Sequence, residues 1–206
     1  EIFFYRFLIA YLGIWVISPK RLFTNNWQDE LWLVAGGIFG GSLYFFTENT
    51  ALGITQASNV SFIICTAPLL TTILSLLFYK SEKASKGLIY GSLLALMGVG
   101  LIVFNGSFVL KISPIGDLLT LLAALSWAFY SLIIKKMAGR YPTIFITRKI
   151  FFYGVLTILP AFLLHPLHRD TAVLLQPAVL FNLLFLAVLA SLICYVLWNV
   201  VLKQLG

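Results

Sequence analysis

Two places in the sequence combine residue types that could do chemistry. In "YFFTENTALG", residues 44–53, Glu48 and Asn49 follow an apolar run in which Gly36 through Phe46 carries no charge. A carboxylate there could reach outer water, pair with a basic neighbour such as Arg6, or touch a substrate amine or a coupling proton; the three readings stand side by side. In "HPLHRD", His165 and Asp170 have the H-x-x-x-x-D spacing, in which a carboxylate-oriented histidine could act as a base toward a hydroxyl. That spacing arises often by chance, and no phosphate-binding glycine run lies near it. The "HRD" triplet has no nucleotide loop to accompany it. No G-x-x-x-x-G-K-[ST] run occurs, which speaks against direct ATP driving. The two histidines are too few and too isolated to make a convincing metal site. The expectation is therefore no catalytic residue, no metal and no cofactor.

The elements that must position these residues are written in the composition. The chain has 206 residues, 61% of them hydrophobic and 10% charged, against about 25% charged in a soluble domain. The mean hydropathy is +1.00. So much apolar surface cannot be enclosed in a water-soluble core, and the expected class is an all-α, polytopic transmembrane helical bundle. A net charge of +7 would suggest a nucleic-acid partner in a soluble protein, but the basic residues fall mostly in short loops between apolar runs. No nucleic-acid partner is expected; the lipid bilayer is.

Crossing the hydrocarbon layer takes about 20 helical residues. Seven stretches fit or nearly fit: Ile2–Ser18, Leu31–Ala51, Val60–Tyr79, Gly87–Phe104, Ile115–Ile134, Ile144–Leu164 and Ala178–Leu202. Their continuous apolar character excludes a transmembrane barrel, which alternates with period two. One set of loops and helix ends holds Lys20, Arg21, Lys80, Lys83, Lys86, Lys135, Lys136, Arg140 and Lys203; the other holds Lys111 and Arg169. This bias places the first set in the cytoplasm. Arg148 and Lys149 begin a span on that side and read as snorkelling to headgroups. Cys65 and Cys194 lie within apolar runs, and the abrupt apolar ends read as those of a piece of a longer chain.

A faint internal repeat joins the halves. Ile2-Phe3-x-x-Arg6 with Tyr11 recurs as Ile144-Phe145-x-x-Arg148 with Tyr153, and "FFTENTAL" aligns with "YVLWNVVL", sharing Asn49/Asn199 and Leu52/Leu202. With five spans per copy, the two repeats would insert with opposite orientation, an architecture of secondary transporters. The repeats are set at 1–112 and 113–206. Polar and small residues recur at helical spacing on four spans: Gly37, Gly41, Tyr44, Glu48 and Ala51; Ser61, Cys65, Pro68, Thr72 and Ser75; Thr120, Ala123, Trp127 and Tyr130; Ser191, Tyr195, Trp198, Asn199 and Leu202. The glycines and alanines read as close helix approaches. The bulkier polar residues read as a cavity lining. Pro68 and Pro160, inside spans, are candidate hinges.

The text from "FFTENTALGITQASNVSFIICTAPLLTTILSLLFYKSEKAS" through "GSLLALMGVGLIVF" to "GDLLTLLAALSWAFYSLIIKK" resembles the drug/metabolite transporter superfamily, in particular its EamA-type domains. The features that carry the resemblance are Ala51-Leu52, Pro68-Leu69, Glu82, Gly98, Gly116-Asp117 and Trp127-Ala128, with "YVLWNVVLKQLG" echoing the Ala-Leu ending but with Val201 for the alanine. Resemblance to a ten-helix family implies that this chain holds helices two to eight. It also implies a secondary transporter in a bacterial inner (cytoplasmic) membrane, exporting amino acids, related metabolites or drugs by alternating access. The substrate-binding set expected is Tyr44, Glu48, Asn49, Ser61, Cys65, Trp127, Tyr130, Tyr195, Trp198 and Asn199, with a small-molecule solute and a coupling proton as partners. A lipid-modifying membrane enzyme using the His165–Asp170 loop is one alternative, and a non-transporting membrane scaffold is another.

Overall fold

The computed structural model describes residues 2–19, 23–24, 26–79, 86–104, 113–164, 174 and 176–205. Among these, helices occupy all seven expected stretches and no strand is present. Ala57–Phe78, Pro114–Ala138 and Pro177–Gln204 are each long and apolar enough to cross a membrane, and Ile2–Ile17 is a shorter apolar helix. The chain divides into two compact units, Glu1–Ser42 with Ile133–Gly206, and Leu43–Leu132.

In the first unit, α1 (Ile2–Ile17) buries Phe3, Phe7, Ala10 and Ile14 at spacings of three and four. The second helical rod starts as α2 (Trp27–Gly37), capped by Asn26, whose side chain accepts from the Gln28 N–H at 3.0 Å. It continues through a π-turn, Ile38–Ser42, into α3 (Leu43–Leu52), which belongs to the other unit. Helix α8 (Thr143–Ile158) packs against α1, α2 and the π-turn. Glycines permit that approach. A Cβ on Gly37 would lie 2.4 Å from Tyr153 Cβ and 3.0 Å from the Gly154 backbone, and one on Gly41 would lie 3.1 Å from Gly154 Cα. Small residues at a helix crossing let backbones come close where lipid supplies no hydrophobic drive between helices. The last rod is α10 (Pro177–Ala187), a second π-turn (Val188–Ile193) and α11 (Cys194–Leu205). Its buried face meets α1 and α8 through Ser191, Tyr195 and Asn199. Phe7 joins the three helices, its ring 4.8 Å from Phe151 and 5.6 Å from Tyr195.

The second unit holds α3, α4 (Ala57–Ile64), α5 (Ala67–Phe78), α6 (Lys86–Phe104) and most of α7 (Pro114–Ala138). Helix α4 packs on α3 and α6, and α5 on α6. The expected span Val60–Tyr79 is broken at Cys65–Thr66, and the next helix opens with Ala67-Pro68, where the proline's missing N–H is tolerated. The span Ile144–Leu164 is likewise broken around Pro160, between α8 and the short α9 (Ala161–Leu164). Both breaks stand where the prolines predict them.

One expected face is not continuous. The stripe running Gly37, Gly41, Tyr44, Glu48, Ala51 assumes an uninterrupted α-helix, but the π-turn lies inside it. An inserted residue turns the helix after it by about 100°, so a count in threes and fours does not run unchanged through residues 38–42. The glycines pack on α8 instead.

Candidate functional site

In the second unit the structure joins four of the expected residues. The Tyr44 hydroxyl donates to Glu48 Oε1 at 3.1 Å, one turn along α3. The Tyr44 ring lies 5.1 Å from Trp127 of α7, and Trp127 lies 5.0 Å from Tyr130. These spacings suit tilted aromatic pairs. Tyr130 and Tyr44 are buried, while Trp127 and Glu48 are half-buried. The result is an aromatic group with a carboxylate at its edge, the components that hold ammonium groups. Asn49 turns back on its own helix, donating to the Phe45 carbonyl at 2.7 Å, and is exposed. Ser61 is exposed. Cys65 sits elsewhere, in a groove of about 260 Å³ with Pro68, Leu69, Gly87, Gly91, Ser92 and Ala95.

In the first unit Tyr195 and Asn199 make contacts between helices. The Tyr195 hydroxyl donates to the Gly40 carbonyl inside the first π-turn. Asn199, buried, donates from Nδ2 to Thr147 Oγ1 at 2.8 Å. Trp198 is half-buried. Arg6 donates from Nε to Ser191 Oγ at 2.8 Å and from Nη2 to the Ala190 carbonyl at 3.5 Å. His165, Asp170 and Glu82 lie outside the described residues.

A group of charges that sequence reasoning did not assemble lies in the N-terminal halves of α2 and α8. Lys149 is fully buried and Arg148 almost so, at 0% and 1% exposure. The reading of both as snorkelling cations is therefore corrected. Lys149 Nζ is paired with Glu30, whose carboxylate also accepts from the Tyr153 hydroxyl and from Thr24, at 2.9 Å from its N–H and 2.5 Å from its hydroxyl. Phe23 and Tyr153 rings lie against the ammonium, 4.6 and 4.7 Å from it. Arg148 donates to the Ser18 carbonyl. One residue before Glu30, Asp29 accepts from Arg140 Nη1 at 2.6 Å and from the Tyr141 hydroxyl at 2.9 Å. Both carboxylates occupy the first turn of α2, where the helix dipole favours negative charge.

The electrostatics follow from these partners. Burial works to raise the Glu30 carboxyl, but the hydrogen bonds from Lys149, Thr24 and Tyr153 outweigh it and hold the group at about 2. The Tyr141 hydroxyl is pushed up, first by burial and then by its bond to Asp29. The available signal was that α2 and α8 are expected to begin on the same membrane side, with carboxylates in the first turn of α2 and cations in the second turn of α8. Weighing each charge against the bilayer, and not against the other, hides it.

Comparison with known proteins now bears on this arrangement. An "Uncharacterized transporter" of Archaeoglobus fulgidus is 30% identical over 199 residues, covering 95% of this chain and 67% of that protein. A second from the same organism is 26% identical, covering 75% and 54%. The "Uncharacterized transporter YdfC" of Bacillus subtilis is 35% identical over 107 residues, covering 51% and 34%. A protein of known crystal structure superposes with a TM-score of 0.77 at 18% identity, covering 98% of this chain and 69% of that one, a likeness of fold. The chain thus spans from about a third to about two thirds of the length of its relatives. The profile of the EamA-like transporter family matches residues 1–104 and 114–206. With its apolar spanning helices, the chain is an integral membrane protein of helical transporter fold and belongs to the EamA-like transporter family.

Proposed function

We propose that this chain is the greater part of a secondary transporter that exports small organic metabolites by alternating access. Amino acids and related compounds are its favoured substrates, and drugs are a further class. The lining is Tyr44, Glu48, Asn49, Ser61, Cys65, Trp127, Tyr130, Tyr195, Trp198 and Asn199, around a cavity near the bilayer midplane, with repeats 1–112 and 113–206 inserted in opposite senses. Its membrane is the inner membrane of a bacterium. The family and its transporter-named relatives point away from an enzyme. One observation carries the substrate class: the Tyr44–Trp127–Tyr130 aromatic group with Glu48 hydrogen-bonded to Tyr44. Ring faces attract a cation at a desolvated site, and a nearby carboxylate adds charge. Both suit the ammonium of an amino acid or amine. Breaks at Pro68 and Pro160 supply the points about which helices bend during the cycle.

The test is uptake by proteoliposomes containing the full-length parent protein, with labelled neutral, aromatic and basic amino acids, each with and without a pH gradient. Saturable uptake of one class, accelerated by the gradient, is expected. Glu48→Gln should remove the gradient effect. Gradient-driven uptake that is unaltered in Glu48→Gln would take the coupling role from this residue. A properly folded protein that moves none of the panel would withdraw amino acids as substrates.

A further inference from the structure

Two irregularities recur at matched places. The π-turns Ile38–Ser42 and Val188–Ile193 begin 150 residues apart. The same offset aligns Asn49 with Asn199 and Leu52 with Leu202. An α-helix pairs each carbonyl with the N–H four residues on, whereas a π-turn holds one extra residue and widens the ladder. At the second turn this is visible directly, since the Cys194 N–H reaches back five residues to the Leu189 carbonyl.

Each turn is held by a side chain from another helix. The Tyr195 hydroxyl of α11 donates to the Gly40 carbonyl within the first turn, and the rings of Phe7 and Phe151 pack against the Tyr195 ring. Ser42, closing that turn, shares a 2.8 Å hydrogen bond with Thr157 of α8. Arg6 of α1 reaches the Ala190 carbonyl and Ser191 Oγ within the second turn. A π-turn is rare and occurs mostly as a single bulge inside a helix, often at a functional site. Here two of them stand at one offset, each with its own cross-helix donor.

We propose that the two π-turns are matched register switches, with Tyr195 and Arg6 as the positioning residues that set them. Each brace keeps an extra residue wound into its helix. It thereby sets the helical phase of the residues that directly follow it, 43–52 or 194–202. When a brace lets go, its turn relaxes to α-helix and the residues beyond it rotate by about 100°. The use of that rotation within a transport cycle rests on the transporter reading above; the rotation itself does not.

The experiment is a nitroxide scan of residues 43–52 in liposomes of the full-length parent protein, with Cys65 and Cys194 replaced by alanine. Collision with oxygen reports the lipid-facing side. The scan is made in the parent and in Tyr195→Phe, with residues 27–37 as the internal reference. The expected result is an accessibility pattern that shifts by one residue after position 42 in Tyr195→Phe and stays in place before it. Loss of one hydrogen bond should change the balance of the two forms roughly fivefold. Ser191→Ala, which removes the Arg6 Nε acceptor gently, should produce the same shift across 194–202. Unchanged patterns in both variants overturn the proposal. A shift in these variants, together with no uptake of labelled amino acids by the unsubstituted parent, leaves the switches standing and withdraws amino acids as substrates.

Discussion

At Lys149 an ammonium has lost all contact with water, and four neighbours make that tolerable: the Glu30 carboxylate, the Tyr153 hydroxyl and the faces of Phe23 and Tyr153. Desolvating an ion carries a penalty of several kcal/mol, so the pair matters most when half of it is removed. Lys149→Met should destabilise the protein by about 3–5 kcal/mol, because Glu30 is left charged and buried. Adding Glu30→Gln should restore most of the loss, measured by thermal unfolding in detergent. Glu30 also predicts a pH effect. Its carboxyl is held at about 2 against an ordinary 4.5, so its contribution is complete above pH 4.5 and is lost as pH falls toward 2. The parent should therefore lose stability across that window more steeply than Glu30→Gln. The sequence shows every charge in this group but not their meeting, which depends on α8 returning beside α2 after more than a hundred residues. Tyr44 and Glu48, only four residues apart, were legible as neighbours from helical spacing alone.

The crossing of α2 and its π-turn over α8 depends on missing side chains. At Gly37 even one methyl group would press on Tyr153 and the Gly154 backbone. Gly37→Ala should lower stability by about 1–3 kcal/mol through forced separation of the helices. Gly98 is the control: nothing lies within 4 Å of its added Cβ. There the same substitution should stabilise by up to about 1 kcal/mol, since alanine favours helix over glycine. Melting temperatures of the two variants, side by side, read the difference. The glycine spacing announced a close approach, and prolines announced both helix breaks, because each residue type leaves a local mark on the backbone. The π-turns left none. "IFGGS" and "VLASLI" are apolar and small, and a count of periodicity runs through them as though the helix were unbroken.

For the molecule as a whole, the helices over the seven expected stretches, three of them long and apolar enough to cross a membrane, and the all-helical class of the described residues followed from hydropathy, since lipid leaves an apolar backbone little choice beyond the helix. Sidedness follows from the charge bias and is open to a direct check. In protein lacking Cys65 and Cys194, Gly139→Cys should react with an impermeant thiol reagent only from the cytoplasmic face, and Gln56→Cys only from the opposite face. Labelling of both from one side would reverse or break the topology. The buried pair at Glu30 and Lys149 also bears on biogenesis. A nascent α8 arrives with two adjacent cations inside an otherwise apolar segment, a poor candidate for entering lipid by itself. The chain has by then already delivered α2 with its carboxylate in place. Membrane entry of the later helix should therefore be easier with its earlier-made partner in place than without it, so that synthesis order enters the route to the fold.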